Sequence, residues 1–228
     1  PLAAQLLIMR TPVCRVGVPI PGGMRREGVD RIYNVYLPQE HFAAFERHLR
    51  AEVFPHFDGP TDIAAVTARL GEANLAVAPD ARTAGIAAAA ATHDVPVYCP
   101  AIQDSVLGIQ AWMYSQISDF TLDALADMTA LSDRAFAAER AGAFVVGGGV
   151  PKNYTLQTML TIPGAYDLGV QLTMDPEHTG GLSGASLDEA RSWGKLEPDA
   201  RNATVLGDAT ITLPLVVAAA RGRMTHNG

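Results

Sequence analysis

The feature that most constrains the fold is the run Ala143-Phe144-Val145-Val146, which leads directly into Gly147-Gly148-Gly149 and then Pro151. Four consecutive apolar residues suit a strand covered on both faces. The glycines end it, and the proline falls where the first turn of a helix does not need its missing N–H. A strand, a tight turn and a helix start in nine residues form a βα junction, and similar punctuation recurs downstream. Tyr166 to Thr173 reads as a strand, Ser186 to Trp193 as a short helix, Ala203 to Leu206 as a strand, and Thr210 to about Arg223 as a closing helix. Upstream, Val95 to Cys99 and Phe120 to Leu122 are strand candidates, and Ala124 to about Arg140 is a long helix. Phe42, Phe45, Leu49 and Val53 recur every three or four residues, which predicts an amphipathic helix from Gln39 to about Phe54. Thr61 or Asp62 can cap a second helix through Leu70, and Thr83 to Thr92 predicts a third. This alternation predicts an α/β fold with a doubly wound, mostly parallel sheet.

Composition narrows the function. The net charge of -7 argues against nucleic acid or an anionic membrane as a partner. No apolar run reaches the roughly 20 residues that cross a bilayer. Cys14 and Cys99 are too few and too far apart for a disulfide framework, which points to a reducing cytoplasm. Residues 1–23 contain Pro12, Pro19 and Pro21 without clean periodicity and read as an irregular opening segment; residues 24–228 read as one α/β domain. Because the chain begins at proline, a further upstream stretch is expected. No metal is expected.

In parallel sheets, ligands bind beyond the carboxyl ends of the strands. Asp104, Gly147 to Gly149, the loop Thr179-Gly180-Gly181-Leu182-Ser183-Gly184, and Gly207-Asp208 all fall at such ends. Glycines allow close backbone approach to a phosphate or ribose, although a glycine triplet also makes a plain tight turn. Asp104 and Asp208 could accept from ribose hydroxyls, or could simply cap helices.

Lysine usage adds a second pointer. Of 17 basic residues, fifteen are arginine and only Lys152 and Lys195 are lysine. Guanidinium stays protonated and is a poor nucleophile, so the two lysines mark positions where an amine could be required. Lys195 follows a short helix that carries Asp188 and Glu189 and ends at Trp193-Gly194. A lysine in a desolvated pocket becomes a usable nucleophile, and a neighbouring indole can hold a cation. The plain alternative is an exposed lysine stabilised by the helix dipole.

Several stretches resemble deoxyhypusine synthases. They are Met24 to Asn34, Val95-Pro96-Val97-Tyr98-Cys99-Pro100-Ala101, Gly147-Gly148-Gly149-Val150-Pro151-Lys152, and Ser183-Gly184-Ala185 with Asp188-Glu189-Ala190 and Ser192-Trp193-Gly194-Lys195. The resemblance runs from about residue 24 to the end of the chain. It implies a Rossmann-like fold and a tetramer with NAD as cofactor. It also implies aminobutyl transfer from the polyamine spermidine through an imine on Lys195. Trp193, Glu189 and Asn153 would bind substrate, and Asp104, Gly148, Gly149, Asp208 and Ala209 the cofactor.

Departures from the family pattern are equally specific. Ile109 and Leu182 stand where the family has aspartates, Asn153 where it has histidine, and Gln171 where it has a pocket tyrosine. Each lost contact would leave a substrate amine unpaired, at about 1–3 kcal/mol. These changes resemble the bacterial deoxyhypusine synthase-like branch, related to homospermidine synthases, in which a small amine or guanidine is the acceptor. The upstream region that helps the family bind NAD is not matched. A second expectation is therefore a catalytically silent paralogue serving as a binding or regulatory subunit.

Overall fold

The computed structural model describes residues 28–32, 35–78 and 84–226. The opening segment 1–23, Met24 to Glu27 of the first resembling stretch, Cys14 and Thr83 lie outside the described residues. The chain divides after Asp127 into two compact units. The architecture is α/β with parallel strand pairs in both.

In the first unit, β1 (Val29–Ile32) and β2 (Val35–Pro38) form an antiparallel pair, followed by α1 (Gln39–Glu52). The predicted periodicity holds, with Phe45 and Leu49 of α1 buried. β3 (Pro60–Asp62) leads into α2 (Ile63–Val77), which the Asp62 carboxylate caps by accepting from the Ala65 N–H at 2.6 Å. Next come α3 (Ile86–Thr92) and α4 (Val106–Ser115). β4 (Thr121–Asp123) pairs in parallel with β3, a three-residue strand that sequence pattern did not reveal. The core is large and aromatic. Phe54 stacks on Tyr114 with centroids 5.1 Å apart and meets Phe120 at 5.2 Å. Leu49, Ile63, Leu70 and Leu107 pack around them.

One expectation fails here. Val95 to Cys99 is not a strand, and two of its backbone groups are engaged outside any ladder. The Val95 N–H donates back to the Ala90 carbonyl at 2.9 Å. The Thr67 hydroxyl donates to the Val97 carbonyl at 2.9 Å. Pro96 has no N–H to offer a ladder. The helix expected from Ala124 to Arg140 is α5 (Ala126–Ala137), its start held by the Asp123 carboxylate, which accepts from the Leu125 and Ala126 N–H groups.

The second unit holds a parallel sheet of β5 (Gly142–Val146), β6 (Tyr166–Thr173) and β7 (Leu196–Leu206), in that order. α6 (Val150–Gln157) links β5 to β6, and α7 (Leu187–Ser192) links β6 to β7. α8 (Ala209–His226) follows β7. Leu156, Met159, Tyr166, Leu187 and Leu196 make a core on one side of this sheet. β5 alternates: Ala143 and Val145 are buried, whereas Phe144 and Val146 are 49% and 48% exposed. The strand predicted to be covered on both faces is thus covered on one, and the described residues form no second covering layer of a doubly wound sheet over Phe144 and Val146. β7 begins seven residues before the predicted Ala203, because Pro198 lies in an irregular stretch. Tyr166 pairs with Leu196 but Leu168 pairs with Arg201, so the intervening residues of β7 bulge out of register.

The strands end together. Val146 pairs with Leu172, and Thr173 with Leu206. The Gly147 and Gly207 N–H groups donate to the Leu172 and Thr173 carbonyls at 2.7 and 2.8 Å. Both loops therefore leave the sheet at its carboxyl edge.

Candidate active site

Lys195 is placed by the way α7 ends. Gly194 adopts φ +70°, a conformation that L side chains rarely accept. Its N–H donates to the Arg191 carbonyl at 2.9 Å, and the Lys195 N–H to the Ala190 carbonyl at 3.0 Å. This is a Schellman termination, with Gly194 as the left-handed residue. It turns the chain sharply, and the Tyr166 N–H then donates to the Lys195 carbonyl at 3.1 Å, next to where β7 begins at Leu196. Lys195 is consequently gripped on both sides by backbone hydrogen bonds while its side chain projects into a cleft.

That cleft is small and opens to solvent. Lys152, Asn153, Leu182, Glu189, Trp193 and Lys195 are among its lining residues, so Lys195 and all three expected substrate-binding residues are brought together. The Lys195 Nζ donates to Asn153 Oδ1 at 3.0 Å and lies 6.0 Å from the centre of the Trp193 ring. Trp193 is 64% exposed, leaving most of its face free for a ligand. Glu189, on the exposed side of α7, gives the cleft an acidic group. Leu182 is half-exposed and gives the cleft an apolar wall.

The second lysine has a different job. Lys152 is only 6% exposed, and its Nζ donates to Gln171 Oε1 and the Leu182 carbonyl, each at 3.1 Å, and to the Ala185 carbonyl. Burial pushes its ammonium below the ordinary lysine value; the charge of Glu189 offsets this and that of Lys195 adds to it. Gln171 is fully buried and donates to the Gly147 and Ser183 carbonyls at 3.0 and 2.9 Å. Its expected place in the pocket wall is therefore corrected: it is buried and does not line the cleft, and it ties the Gly147 and Ser183 loops to Lys152 of α6. Sequence reading missed this network, whose one visible signal was the scarcity of lysine. It also missed Gln157, which accepts from Asn153 Nδ2 at 3.0 Å and was detectable only as a partner four residues along the same helix.

The expected cofactor residues divide. Gly148 and Gly149 stand at the carboxyl edge, with Gly149 at the start of α6. Gly148 is required by packing: a Cβ there would lie 2.3 Å from the Ser183 Cα. Asp208 stands at the same edge and caps α8. Its Oδ1 accepts from the Thr210 hydroxyl at 2.7 Å and the Thr210 N–H at 2.8 Å, and these bonds, the hydroxyl's foremost, hold its carboxyl below the ordinary value. Ala209 opens α8 beside it. In the first unit, capping does not account for Asp104, because the Ser105 hydroxyl caps α4 by accepting from the Gly108 N–H at 3.0 Å. The Asp104 side chain is exposed at the end of a short 3₁₀ turn (Ile102–Asp104). Ile109, in α4, is 52% exposed.

Comparison with known proteins assigns the family. The family model described as deoxyhypusine synthase matches residues 22–220. The chain belongs to the deoxyhypusine synthase family. It is 48% identical over 203 residues to the "Probable deoxyhypusine synthase 1" of Methanosarcina mazei, covering 89% of this chain and 62% of that protein. It is 40% identical over 203 residues to the "Probable deoxyhypusine synthase" of Methanothermobacter thermautotrophicus, covering 86% and 62%. Both relatives are archaeal, and the chain spans about three fifths of their length. Among solved structures, a "putative deoxyhypusine synthase" from Entamoeba histolytica superposes with a TM-score of 0.54 over 80% of this chain and 56% of that one, at 17% identity. That likeness supports the fold of the deoxyhypusine synthase family. No helix among the described residues is long and apolar enough to cross a membrane.

Proposed function

We propose that the chain carries the lysine-bearing part of an NAD-dependent aminobutyl transferase, in which Lys195 holds the transferred group as an imine. The observation that carries this reading is the Lys195 amine, held at 3.0 Å by Asn153 in a cleft walled by Trp193 and Glu189. Spermidine or a related polyamine is the donor in this reading. Trp193 would hold its methylene arm and cationic end, and Glu189 a terminal ammonium.

The carboxyl edge of the sheet fits part of a dinucleotide site. Gly147 and Gly149 turn with φ +80° and +77°, and Thr210 occupies only Oδ1 of Asp208, leaving Oδ2 directed elsewhere. Gly148, Gly149, Asp208 and Ala209 would hold NAD there; the same role for Asp104 rests on the resemblance. When bound, NAD would supply the hydride chemistry, the oxidation of the polyamine's secondary amine and the reduction of the product imine. The chain's own part is nucleophilic. The neutral Lys195 amine would add to the oxidised carbon, the diaminopropane portion would leave as an amine, and an aminobutyl imine would remain on Nζ. An acceptor amine then adds to that carbon and Lys195 departs.

A small amine or guanidine is proposed as acceptor, because Leu182 and Asn153 replace polar contacts of the family pattern. The same changes motivate the proposed kinship with the bacterial deoxyhypusine synthase-like branch. A Rossmann-like completion of the sheet, a homotetramer and a cytoplasmic setting go with this reading and rest on the resemblance. The apolar Leu182 also motivates the second reading, a silent binding or regulatory subunit.

The test is to incubate the chain with NAD and spermidine, trap with borohydride and sequence the peptides by mass spectrometry. The expected result is a butylamine adduct on Lys195, absent from Lys195→Arg. The same product from Lys195→Arg overturns the covalent role, and absence of turnover in the unmodified chain favours the silent subunit.

A further inference from the structure

Lys195 is a donor-only group when charged, so its contact with Asn153 works in one orientation of the amide. The Oδ1 must face Nζ, and Nδ2 must then point away and find an acceptor. Gln157 supplies that acceptor: Asn153 Nδ2 donates to Gln157 Oε1 at 3.0 Å, and Asn153 Oδ1 accepts from Lys195 Nζ at 3.0 Å. The chain Lys195–Asn153–Gln157 thus reads as one ordered relay. The two amides lie four residues apart in α6, on one helix face, and Gln157 is the helix's last residue. Gln157 does not line the cleft that Asn153 and Lys195 line; it borders a separate hollow formed with Ser132, Tyr154 and Leu160.

The ends of an asparagine amide are nearly equal in size, so packing alone does not choose between them. With Gln157 in its observed orientation, Oε1 toward position 153, the flipped rotamer would set Asn153 Oδ1 against Gln157 Oε1 and Nδ2 against Nζ. Both contacts would be repulsive. Without an acceptor at position 157, only the second penalty remains, and it vanishes once Lys195 is neutral. Neutral Lys195 is the form that must attack.

We propose that Gln157 is a positioning residue: it locks the Asn153 amide so that its carbonyl fixes the direction of the Lys195 amine throughout the reaction. This inference rests on the reading of Lys195 as the nucleophile. An amine with one N–H committed to Oδ1 keeps its remaining positions, including the lone pair of the neutral form, pointed into the cleft. Loss of the lock costs attack geometry rather than substrate binding.

The test compares Gln157→Met, which keeps length but has no acceptor oxygen, with Gln157→Glu, which keeps an acceptor. Two rates are read on each. One is the NAD- and spermidine-dependent adduct on Lys195. The other is reductive alkylation of Lys195 by butyraldehyde and cyanoborohydride, which needs neither cofactor nor polyamine. Lys152 is the chain's second lysine and is buried, so it is the internal control. Gln157→Met should slow both rates about fivefold, the effect of one lost hydrogen bond of about 1 kcal/mol. The KM for spermidine should not change, and Gln157→Glu should restore both rates to within about twofold of the unmodified chain. Circular dichroism should show all three proteins equally folded. Equal alkylation rates in Gln157→Met and the unmodified chain overturn the proposal, as does failure of Gln157→Glu to restore a lost rate. An unmodified chain that alkylates at Lys195 but forms no polyamine adduct overturns the transferase reading instead, while the alkylation rates still decide the role of Gln157.

Discussion

The two units set their buried polar groups in different apolar cores. The first packs Phe45 and a ring of leucine, isoleucine and valine around the aromatic cluster of Phe54, Tyr114 and Phe120, and buries Thr67, Asn74, Gln110 and Asp127 among them. The second packs a smaller apolar set, in which alanines stand beside Leu156, Leu187 and Leu196, and places Lys152, Gln171, Thr158 and Thr173 inside. Large apolar side chains contribute stability almost independently of orientation, because the hydrophobic effect follows area. A buried ammonium and a buried amide contribute only if every partner stands in the right place. The aromatic cluster of the first unit is therefore the part least dependent on exact orientation. The second unit is built to hold the 147–149, 182–185 and 195 segments in one geometry, as a site with a nucleophile requires.

The largest expected effect comes from breaking the apolar side of this contrast. Phe120→Ala removes a side chain that contacts Phe54, Phe57 and Tyr114. It should destabilise the chain by about 3–5 kcal/mol. Hydrogen exchange read peptide by peptide should place the loss in α1, α2 and α4. An equal loss around β6 would show that the two cores are not separable.

Lys152→Met tests the polar side. The substitution nearly preserves volume but leaves Gln171 Oε1 and the Leu182 and Ala185 carbonyls without their donor. It also relieves the desolvation of a charge, so the net cost should be on the order of 2 kcal/mol, less than for Phe120→Ala. The informative readout is local: exchange protection should fall in the 182–185 loop and in α6 and remain in the first unit. Uniform loss across the chain would remove the distinction between the two kinds of core.

How far the sequence revealed this arrangement depends on which groups did the holding. β6 was legible residue for residue, because an apolar stretch bounded by Pro163-Gly164 and Asp175-Pro176 leaves its backbone groups no partner but a ladder. The start of α2 was legible through Asp62, and the position of Lys195 through Trp193-Gly194. β7 was read short because Pro198 marks a bulge that only the pairing with β6 defines. Val95 to Cys99 was misread because one of its carbonyls is satisfied by the side chain of Thr67, thirty residues away. Asp208 illustrates the limit at the site: both a cap and a ligand contact were written into the same residue, and geometry shows that one oxygen serves the cap. Contacts made by amides, such as those of Gln157 and Gln171, carry no periodic signature, so the network behind the nucleophile was the least legible part.

The smallest expected effect, and the most discriminating, is the pH dependence of the second unit. Burial lowers the Lys152 value from its ordinary 10.5, with Glu189 opposing and Lys195 adding to the shift. Between that lowered value and 10.5 the unfolded chain binds more protons than the folded one, so stability should rise with pH in this window and be flat below it. Tyr166 works the other way. Burial raises its phenol above 10.0, so from pH 10 upward the unfolded chain loses the proton first and stability falls. The Lys152 contribution is therefore clearest on the alkaline side of neutrality but below pH 10. Subtracting urea-unfolding curves of Lys152→Met from those of the unmodified chain isolates it, since Tyr166 is common to both. The stability difference between the two proteins should grow as pH rises toward 10. A difference that shrinks instead would mean that the three acceptors around Nζ favour the ammonium more than burial disfavours it, and the polar core would then be held together by a charge rather than in spite of one.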